Sequence, residues 1–365
     1  MEHHRINFKH HLGNARATTR IRCLAAVLIG LLITTGNARA AGLWVANENS
    51  NTLTEFQGKI KKPHRMLKDS ADLDGPSTVA FDGGGNLWVT NFNGNTIFEY
   101  TQSQIDKLKK HVPTPAVTIS IDTGSNLSGP EGIVFDGSGN MWVGAENGQV
   151  ILEYTPAQFA ASGNPTPHII LNSAGGFSSP SHLRFDSGGN LWVVDEGVFP
   201  NGNGGAGEVF KYSHAQIAGL SAGSHNIDPI FGVSINAFEH LETIAFDGGG
   251  NLWVADEFGN RVFQFSAGDL VGSGLHQNLT PAVVLSPTAE GGSCNLSIDA
   301  PYGLAFDGSG NLFVANAGSG GGGCHGSLAQ FSAGSIGSTG SPKPKVFATG
   351  GLVHPNALTF GPTVP

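Results

Sequence analysis

Residues 135–143 read FDGSGNMWV, and close copies of this nonapeptide occur at 81–89, 185–193, 246–254 and 306–314. The copies begin 54, 50, 61 and 60 residues apart. Two half copies complete the series, LWVAN at 43–47 and HPNALTF at 354–360. Repetition with a period of about 50 residues is typical of folds in which each copy forms one supersecondary unit. The chain therefore contains six units, one of them split between its two ends.

Each unit has the pattern of four short strands. In the copy around residue 135, an apolar strand at 132–135 is followed by turn residues, DGSGN, and a second strand at 141–143. A third strand follows at 149–154, and a fourth opens with Pro167, as suits an outer edge strand. This pattern predicts an all-β fold: a six-bladed β-propeller of four-stranded blades over 41–365, closed by pairing of the N- and C-terminal strands.

Composition supports this fold class. The 365 residues include 54 Gly, and only 13% are charged. Coiled coils and long helical bundles need Ala, Glu, Lys and Leu rather than Gly, so they are excluded. A hydrophobic fraction of 39% with so little charge also argues against a disordered polyelectrolyte.

Residues 1–40 have the order of a secretory signal peptide: arginines, an apolar run at 23–33, and Ala38-Arg39-Ala40 as the cleavage site. We therefore expect a secreted or periplasmic monomer with no membrane association after cleavage. The remaining chain has 13 basic and 27 acidic residues, a net charge of −14. Such a surface repels phosphate backbones, so we expect no nucleic-acid partner. Only Cys294 and Cys324 remain, and in an exported chain we expect them to form a disulfide.

The repeats resemble NHL repeats, most clearly at 129–143 and 252–262. Six-bladed propellers similar to this chain include RNA binders, protein binders, a lyase of peptide-amidating systems and metal-dependent lactonases of the regucalcin and gluconolactonase type. The seven-bladed streptogramin lyases have a similar repeat. The resemblance thus implies the fold and leaves several functions open.

Two sets of loop residues should share one face, around the mouth of the central channel, because the first strand of each blade runs away from it and the second returns. The set that opens the first strands comprises Ser77, Glu131, Ser181 with His182, Glu242, Tyr302 and Asn356. The set after the second strands comprises Asn47, Asn91, Ala145, Asp195, Asp256 and Asn316, followed in four copies by Glu48, Glu146, Glu196 and Glu257.

This oxygen-rich rim suits Ca²⁺ or another divalent cation. The lactonase resemblance implies one Glu, two Asn and one Asp as ligands, which points to Glu131 or Glu242, Asn91 or Asn316, and Asp195 or Asp256. We also consider His182, Glu131 and Glu242 as catalytic residues, with His182 as a general base. The competing interpretation is that the recurring Asn and Asp side chains only cap turns. The five Trp occupy one repeat position and should pack between blades, and the Asp of each FD pair should open a tight turn on the opposite face.

The sequence leaves open whether the protein is an enzyme. The first hypothesis is an exported scaffold that binds a small molecule or a protein at the channel mouth. The second is a divalent-metal-dependent hydrolase, lactonase-like, with its site at the central channel. The third, a lyase similar to the streptogramin lyases, is disfavoured by six blades instead of seven and by the lack of a clear His/Glu pair on adjacent blades.

Overall fold

The computed structural model describes residues 42–57, 60, 62–68, 72–108, 113–120, 128–172, 177–197, 207–289, 296–318 and 326–362. These residues form 26 strands in six sheets, and the predicted six-bladed β-propeller is confirmed. Blade 1 contains β1 (Leu43–Asn47), β2 (Thr52–Phe56), β3 (Arg65–Lys68) and β26 (Pro355–Phe360). Blade 2 contains β4 (Pro76–Phe81), β5 (Leu87–Asn91), β6 (Thr96–Tyr100) and β7 (Val117–Ser120). Blade 3 contains β8 (Pro130–Phe135), β9 (Met141–Ala145), β10 (Val150–Tyr154) and β11 (Ile169–Asn172).

Blade 4 contains β12 (Pro180–Phe185), β13 (Leu191–Asp195), β14 (Glu208–Tyr212) and β16 (Phe231–Val233). Blade 5 contains β17 (Leu241–Phe246), β18 (Leu252–Asp256), β19 (Arg261–Phe265) and β21 (Val283–Leu285). Blade 6 contains β22 (Pro301–Phe306), β23 (Leu312–Asn316), β24 (Ser327–Phe331) and β25 (Val346–Ala348). Two short helices, α1 (Gln102–Asp106) and α2 (His214–Ala218), follow third strands, and three 3₁₀ turns span Glu48–Ser50, Ala267–Leu270 and Ala333–Ser335.

The chain closes its ring as the split repeat predicts. Strand β26 is the innermost strand of blade 1 and pairs antiparallel with β1, with Val45 opposite Leu358 and Leu43 opposite Phe360. The pairing satisfies backbone groups that two terminal strands would otherwise expose at open edges. It also brings the sixth innermost strand to the channel.

Two blades have one strand more than predicted. The segment β15 (Gly223–Asn226) pairs parallel with the outer strand of blade 3, and β20 (Gly274–Gln277) pairs parallel with the outer strand of blade 4. In both cases the segment comes from the next blade along the chain. Isolated bridges from Gly163 to Ile119 and from Gly340 to Leu285 repeat the arrangement elsewhere. These segments cover outer edges that would otherwise be open to pairing with other chains.

The FD turns and the Trp residues form one unit per blade. In blade 3, Asp136 accepts hydrogen bonds from the backbone N–H groups of Ser138 and Asn140, from Asn140 Nδ2 at 2.9 Å and from Trp142 Nε1 at 3.1 Å. The Trp142 ring then packs edge-on against Phe185 of blade 4, with ring centroids 6.1 Å apart. The predicted roles of both residue types, turn formation and packing between blades, are confirmed. The same carboxylate therefore fixes the turn and orients the ring that joins two blades.

Blades 3 and 6 allow the indole contact to be tested, because both use the loop sequence DGSGN but blade 6 has Phe313 in place of Trp. Asp307 keeps the equivalent bonds from Ser309 N, Asn311 N and Asn311 Nδ2. We expect Asp136→Ala to lower the free energy of unfolding by about 2 kcal/mol more than Asp307→Ala, because it also removes a charge-assisted bond and leaves an indole N–H unpaired. Urea unfolding measures both; equal losses would contradict this role of the indole.

Candidate functional site

The two predicted sets of loop residues meet at one end of the propeller. Strand register shows this directly: Pro180 pairs with Asp195 and Leu241 with Asp256, so the start of each first strand lies beside the end of the second. The register shifts immediately after these pairs, before Leu183 in β12 and before Ile244 in β17. Irregularities of this kind re-aim side chains. In β12 the shift spans His182, and in β17 it spans Glu242.

Four side chains from three adjacent blades converge there. Glu131 of blade 3, His182 and Glu196 of blade 4, and Glu242 of blade 5 each offer one donor atom, and these atoms lie within 4.8 Å of one another. All four residues are buried. A Cβ at Gly132 would collide with the Ser181 carbonyl oxygen, so this glycine lets blades 3 and 4 approach closely beside the cluster. We call Glu131, His182, Glu196 and Glu242 the acidic cluster.

The histidine of the acidic cluster is uncharged. His182 is fully buried, and its Nε2 lies 3.2 Å from Thr78 Oγ1 of blade 2. Its Nδ1 has no partner of hydrogen-bond geometry among the described residues. Burial, helped by the charge of Arg184, lowers the pKa of His182 to about 3. The ring is therefore a neutral imidazole at physiological pH, which is the form that binds metals.

The three glutamates of the acidic cluster repel one another. Burial raises the pKa of each well above its ordinary value, and the neighbouring carboxylates raise it further: Glu196 acts on Glu131, Glu242 on Glu196, and Glu131 on Glu242. Glu196 Oε1 is buried with no hydrogen-bond partner of its own in the described structure. Carboxylates this close cannot all remain charged without compensation. The cluster must therefore hold protons or a cation.

A second histidine, which the sequence analysis did not select, lies beside the acidic cluster. His240 Nδ1 lies 3.1 Å from Glu242 Oε1 and 3.1 Å from Glu257 Oε2, and its Nε2 lies 3.8 Å from Glu196 Oε2. Its ring stacks on Phe258 with centroids 4.7 Å apart. Burial alone would lower the pKa of His240, but Glu242 and Glu257 raise it to about 10, so the ring is an imidazolium. The sequence feature that could have identified His240 is its departure from the repeat, because four of the other five copies have Gly, Ser or Ala at this position.

The rest of the rim supplies polar groups around the two histidines. Ser179 Oγ donates to Glu146 Oε1 at 2.7 Å, and His354 Nδ1 lies 3.1 Å from Glu48 Oε2. Tyr302 is half-buried and packs edge-on against His354, with ring centroids 5.0 Å apart. Burial, reinforced by the surrounding carboxylates, raises the pKa of the Tyr302 hydroxyl above its ordinary value. The phenol is therefore a permanent hydrogen-bond donor near physiological pH.

The recurring Asn and Asp residues have a different role from the acidic cluster. Asp195 accepts backbone N–H bonds from Ser178 and Ser179 at 2.9 Å, and Asp256 accepts one from His240 at 2.9 Å. Asn316 Oδ1 accepts from Asp299 N at 3.1 Å. The turn-capping interpretation is thus confirmed at these three positions.

Asn91 differs from those three residues. It donates from Nδ2 to Thr96 Oγ1 at 3.2 Å, while its buried Oδ1 has no hydrogen-bond partner in the described part of the chain. Metal ligation by Asn91, Asp195, Asp256 or Asn316 stays a prediction. The cluster of donor atoms contains neither of the two aspartates. Cys294 and Cys324 lie outside the described residues, so their pairing also stays a prediction.

No family model and no curated protein matches this chain. Solved structures do: the nidogen/laminin complex aligns with a TM-score of 0.56 at 14% identity, over 89% of this chain and 100% of that one. A protein of unknown function from Bacteroides caccae aligns with a TM-score of 0.53 at 13% identity, over 88% and 99%. A putative gluconolactonase aligns with a TM-score of 0.47 at 14% identity, over 73% and 77%. At these identities the likeness shows the fold alone.

Two further findings bear on the hypotheses from the sequence. The expectation that no His/Glu pair joins adjacent blades is wrong, since His182 of blade 4 lies with Glu131 of blade 3 and Glu242 of blade 5. The presence of this pair removes one reason against a lyase, while the count of six blades instead of seven still disfavours it.

Among the described residues, no helix has the length and apolar character needed to cross a bilayer.

The charge state of the site predicts how metal-free stability depends on pH. The folded-state pKa values of Glu131, Glu196, Glu242 and His240 are raised, so the stability that these groups contribute is present at low pH and is lost as pH rises through those values. We expect the melting temperature in EDTA to fall between pH 6.5 and pH 10. Glu242→Gln should flatten this fall, and Glu239→Gln, at an exposed residue nearby, should not. A rising melting temperature over this range would contradict the charge states described.

Proposed function

We propose that this protein is a divalent-cation-dependent hydrolase that acts on lactones or related esters at the channel mouth. The observation that carries the proposal is the acidic cluster: three buried carboxylates and a neutral imidazole with donor atoms within 4.8 Å of one another. Uncompensated charges buried this closely would be strongly unfavourable, and a bound cation removes both the desolvation penalty and the repulsion.

The donor set fits a cation on two further grounds. His182 Nδ1 and Glu196 Oε1 are buried and make no hydrogen bond of good geometry in the described structure, although the Glu242 backbone and the Ser181 side chain lie close enough to shift the pKa of His182 and Glu196 respectively. Three carboxylates with one imidazole also form a mixed oxygen and nitrogen set, which suits Mn²⁺ or Zn²⁺ better than Ca²⁺. Glu131, His182, Glu196 and Glu242 would hold the ion, and His182 would then be a ligand rather than the general base.

A cation held there would act as a Lewis acid towards the carbonyl group of an ester. The neighbouring side chains would carry the proton transfers. Glu257 is the carboxylate paired with His240 outside the acidic cluster, and its side chain is 14% exposed, which leaves it able to accept a proton from water. His240, as an imidazolium, would donate a proton to the departing alkoxide. The neutral Tyr302 hydroxyl would orient the substrate by a hydrogen bond.

Cation binding is the first test of the proposal. Isothermal titration of EDTA-treated protein should show one site that binds Mn²⁺ or Zn²⁺ more tightly than Ca²⁺, with affinity that rises with pH because the ligands must lose protons. Glu196→Gln and Glu242→Gln should each weaken binding at least about tenfold. The control Glu239→Gln, which changes an exposed carboxylate on the same face, should leave affinity unchanged. Equal affinity in all four proteins would refute the assigned ligands.

Turnover is the second test. The Mn²⁺-loaded protein should hydrolyse members of a panel of γ-lactones, δ-lactones and aryl esters, and Glu257→Gln should lower kcat at least 100-fold, as expected when a general base is removed. Its Mn²⁺ affinity should change little. In water enriched with ¹⁸O, the hydrolytic product gains one labelled oxygen, whereas a lyase product gains none. Cation binding without turnover of any panel member would instead favour the binding scaffold.

A further inference from the structure

The channel end opposite the acidic cluster opens into a cavity of about 440 Å³. Its rim is built from the last residue of each innermost strand, which is a phenylalanine in all six blades and half-buried in each. These residues are Phe81, Phe135, Phe185, Phe246, Phe306 and Phe360. Each ring contacts the aromatic residue of the preceding blade on its outer side, as Phe246 does with Trp192 at 5.6 Å. We call this cavity the phenylalanine funnel.

One charged side chain lines the phenylalanine funnel, the guanidinium of Arg184. The corresponding positions of the other five blades are uncharged: Ala80, Val134, Ala245, Ala305 and Thr359. Because the other five blades fold without a charge at this position, the propeller itself does not require the arginine. Arg184 is therefore a candidate for a function that the repeat does not share.

No protein carboxylate neutralises this arginine in the described structure. Arg184 Nη1 donates to the carbonyl oxygen of Leu183, its own neighbour, at 2.9 Å. The described residues place no Asp or Glu within ion-pair distance of it, whereas Arg65 and Arg261 each have two acidic partners. A guanidinium stays protonated at neutral pH in proteins, so the side chain is a cation. A half-buried guanidinium that has no carboxylate partner and keeps free N–H donors beside phenylalanine rings is a site for an anion.

We propose that the phenylalanine funnel binds small amphipathic carboxylates, with the carboxylate on Arg184 and the hydrocarbon part among the phenylalanine rings. The planar fork of a guanidinium matches a carboxylate in two parallel hydrogen bonds. The cavity volume lies within the range of small-molecule sites, and the side chains that line it are apolar apart from Arg184 and Thr359. An inorganic anion would use only the guanidinium and a neutral hydrocarbon only the rings, so a molecule with both parts fits best.

Octanoate, octan-1-ol and acetate separate these contributions. Isothermal titration in EDTA should show octanoate binding at one site, octan-1-ol at least about tenfold more weakly, and acetate not at all, because a hydrogen bond to a charged group contributes enough for such a ratio. Arg184→Met, which keeps the length and apolar volume of the side chain, should weaken octanoate binding at least about tenfold and change octan-1-ol binding by less than about threefold. Lys345→Met, a change at an exposed cation, should leave both unchanged.

Several results would overturn the proposal. Equal affinity for octanoate and octan-1-ol would show an apolar surface only, and acetate binding as tight as octanoate would show a simple anion site. Loss of octanoate binding in Glu242→Gln would place the ligand at the acidic cluster instead. If Arg184→Met fails to fold by its melting curve, the octanoate to octan-1-ol ratio of the wild type and the retained octanoate binding of Arg184→Lys decide the question.

Discussion

Pairing of β26 with β1 is the constraint on which the rest of the molecule depends. It completes a ring in which the innermost strands all run in the same direction along one channel, so that equivalent residues form layers across it. Residues near the start of each strand meet at one end, and residues near its finish meet at the other. Direct packing of blades 3, 4 and 5 within this ring brings together Glu131, His182 and Glu242, which lie 51 or more positions apart in the chain. The chemistry of both channel ends is therefore a product of topology rather than of local sequence motifs.

The two ends of the channel carry opposite charges on residues that differ between copies of the repeat. At one end, Glu131 of blade 3 and Glu242 of blade 5 stand where the other copies have Ser, Tyr or Asn. They meet Glu196 of blade 4, at a position that is Glu in four copies, and the three buried carboxylates create a concentrated negative charge. At the other end, a single blade contributes Arg184 among apolar neighbours. Both are unfavourable placements of charge inside a protein. Repeat folds tolerate them because closely packed aromatic and aliphatic residues between the blades, such as Trp142 against Phe185, stabilise the framework independently of the channel.

The fold could be predicted from sequence because the FD turn and the tryptophan recur at fixed spacing, and their contacts are local or lie between neighbouring blades. Glu131, Glu242 and His182 could be selected because they depart from the repeat at positions that topology brings together. His240 also departs from the repeat, but its pairing could not be predicted because the distances of 3.1 Å to Glu242 and Glu257 depend on loop conformation. Asp195 and Asp256 have carboxylates that could bind a metal, but these carboxylates accept hydrogen bonds from backbone N–H groups. The residue type alone does not distinguish a metal ligand from a turn cap. The fifth strands β15 and β20 depend on loops returning to the previous blade.

The central claim is that a divalent cation compensates the acidic cluster at the channel mouth. The most direct measurement is anomalous diffraction from crystals of the full chain grown with Mn²⁺, collected near the manganese edge. The account predicts one strong anomalous peak bounded by Glu131, Glu196, Glu242 and His182 Nδ1, with no peak in the phenylalanine funnel. An empty cluster at saturating Mn²⁺, or a peak held by Asp195 or Asp256 in place of these four residues, would contradict it.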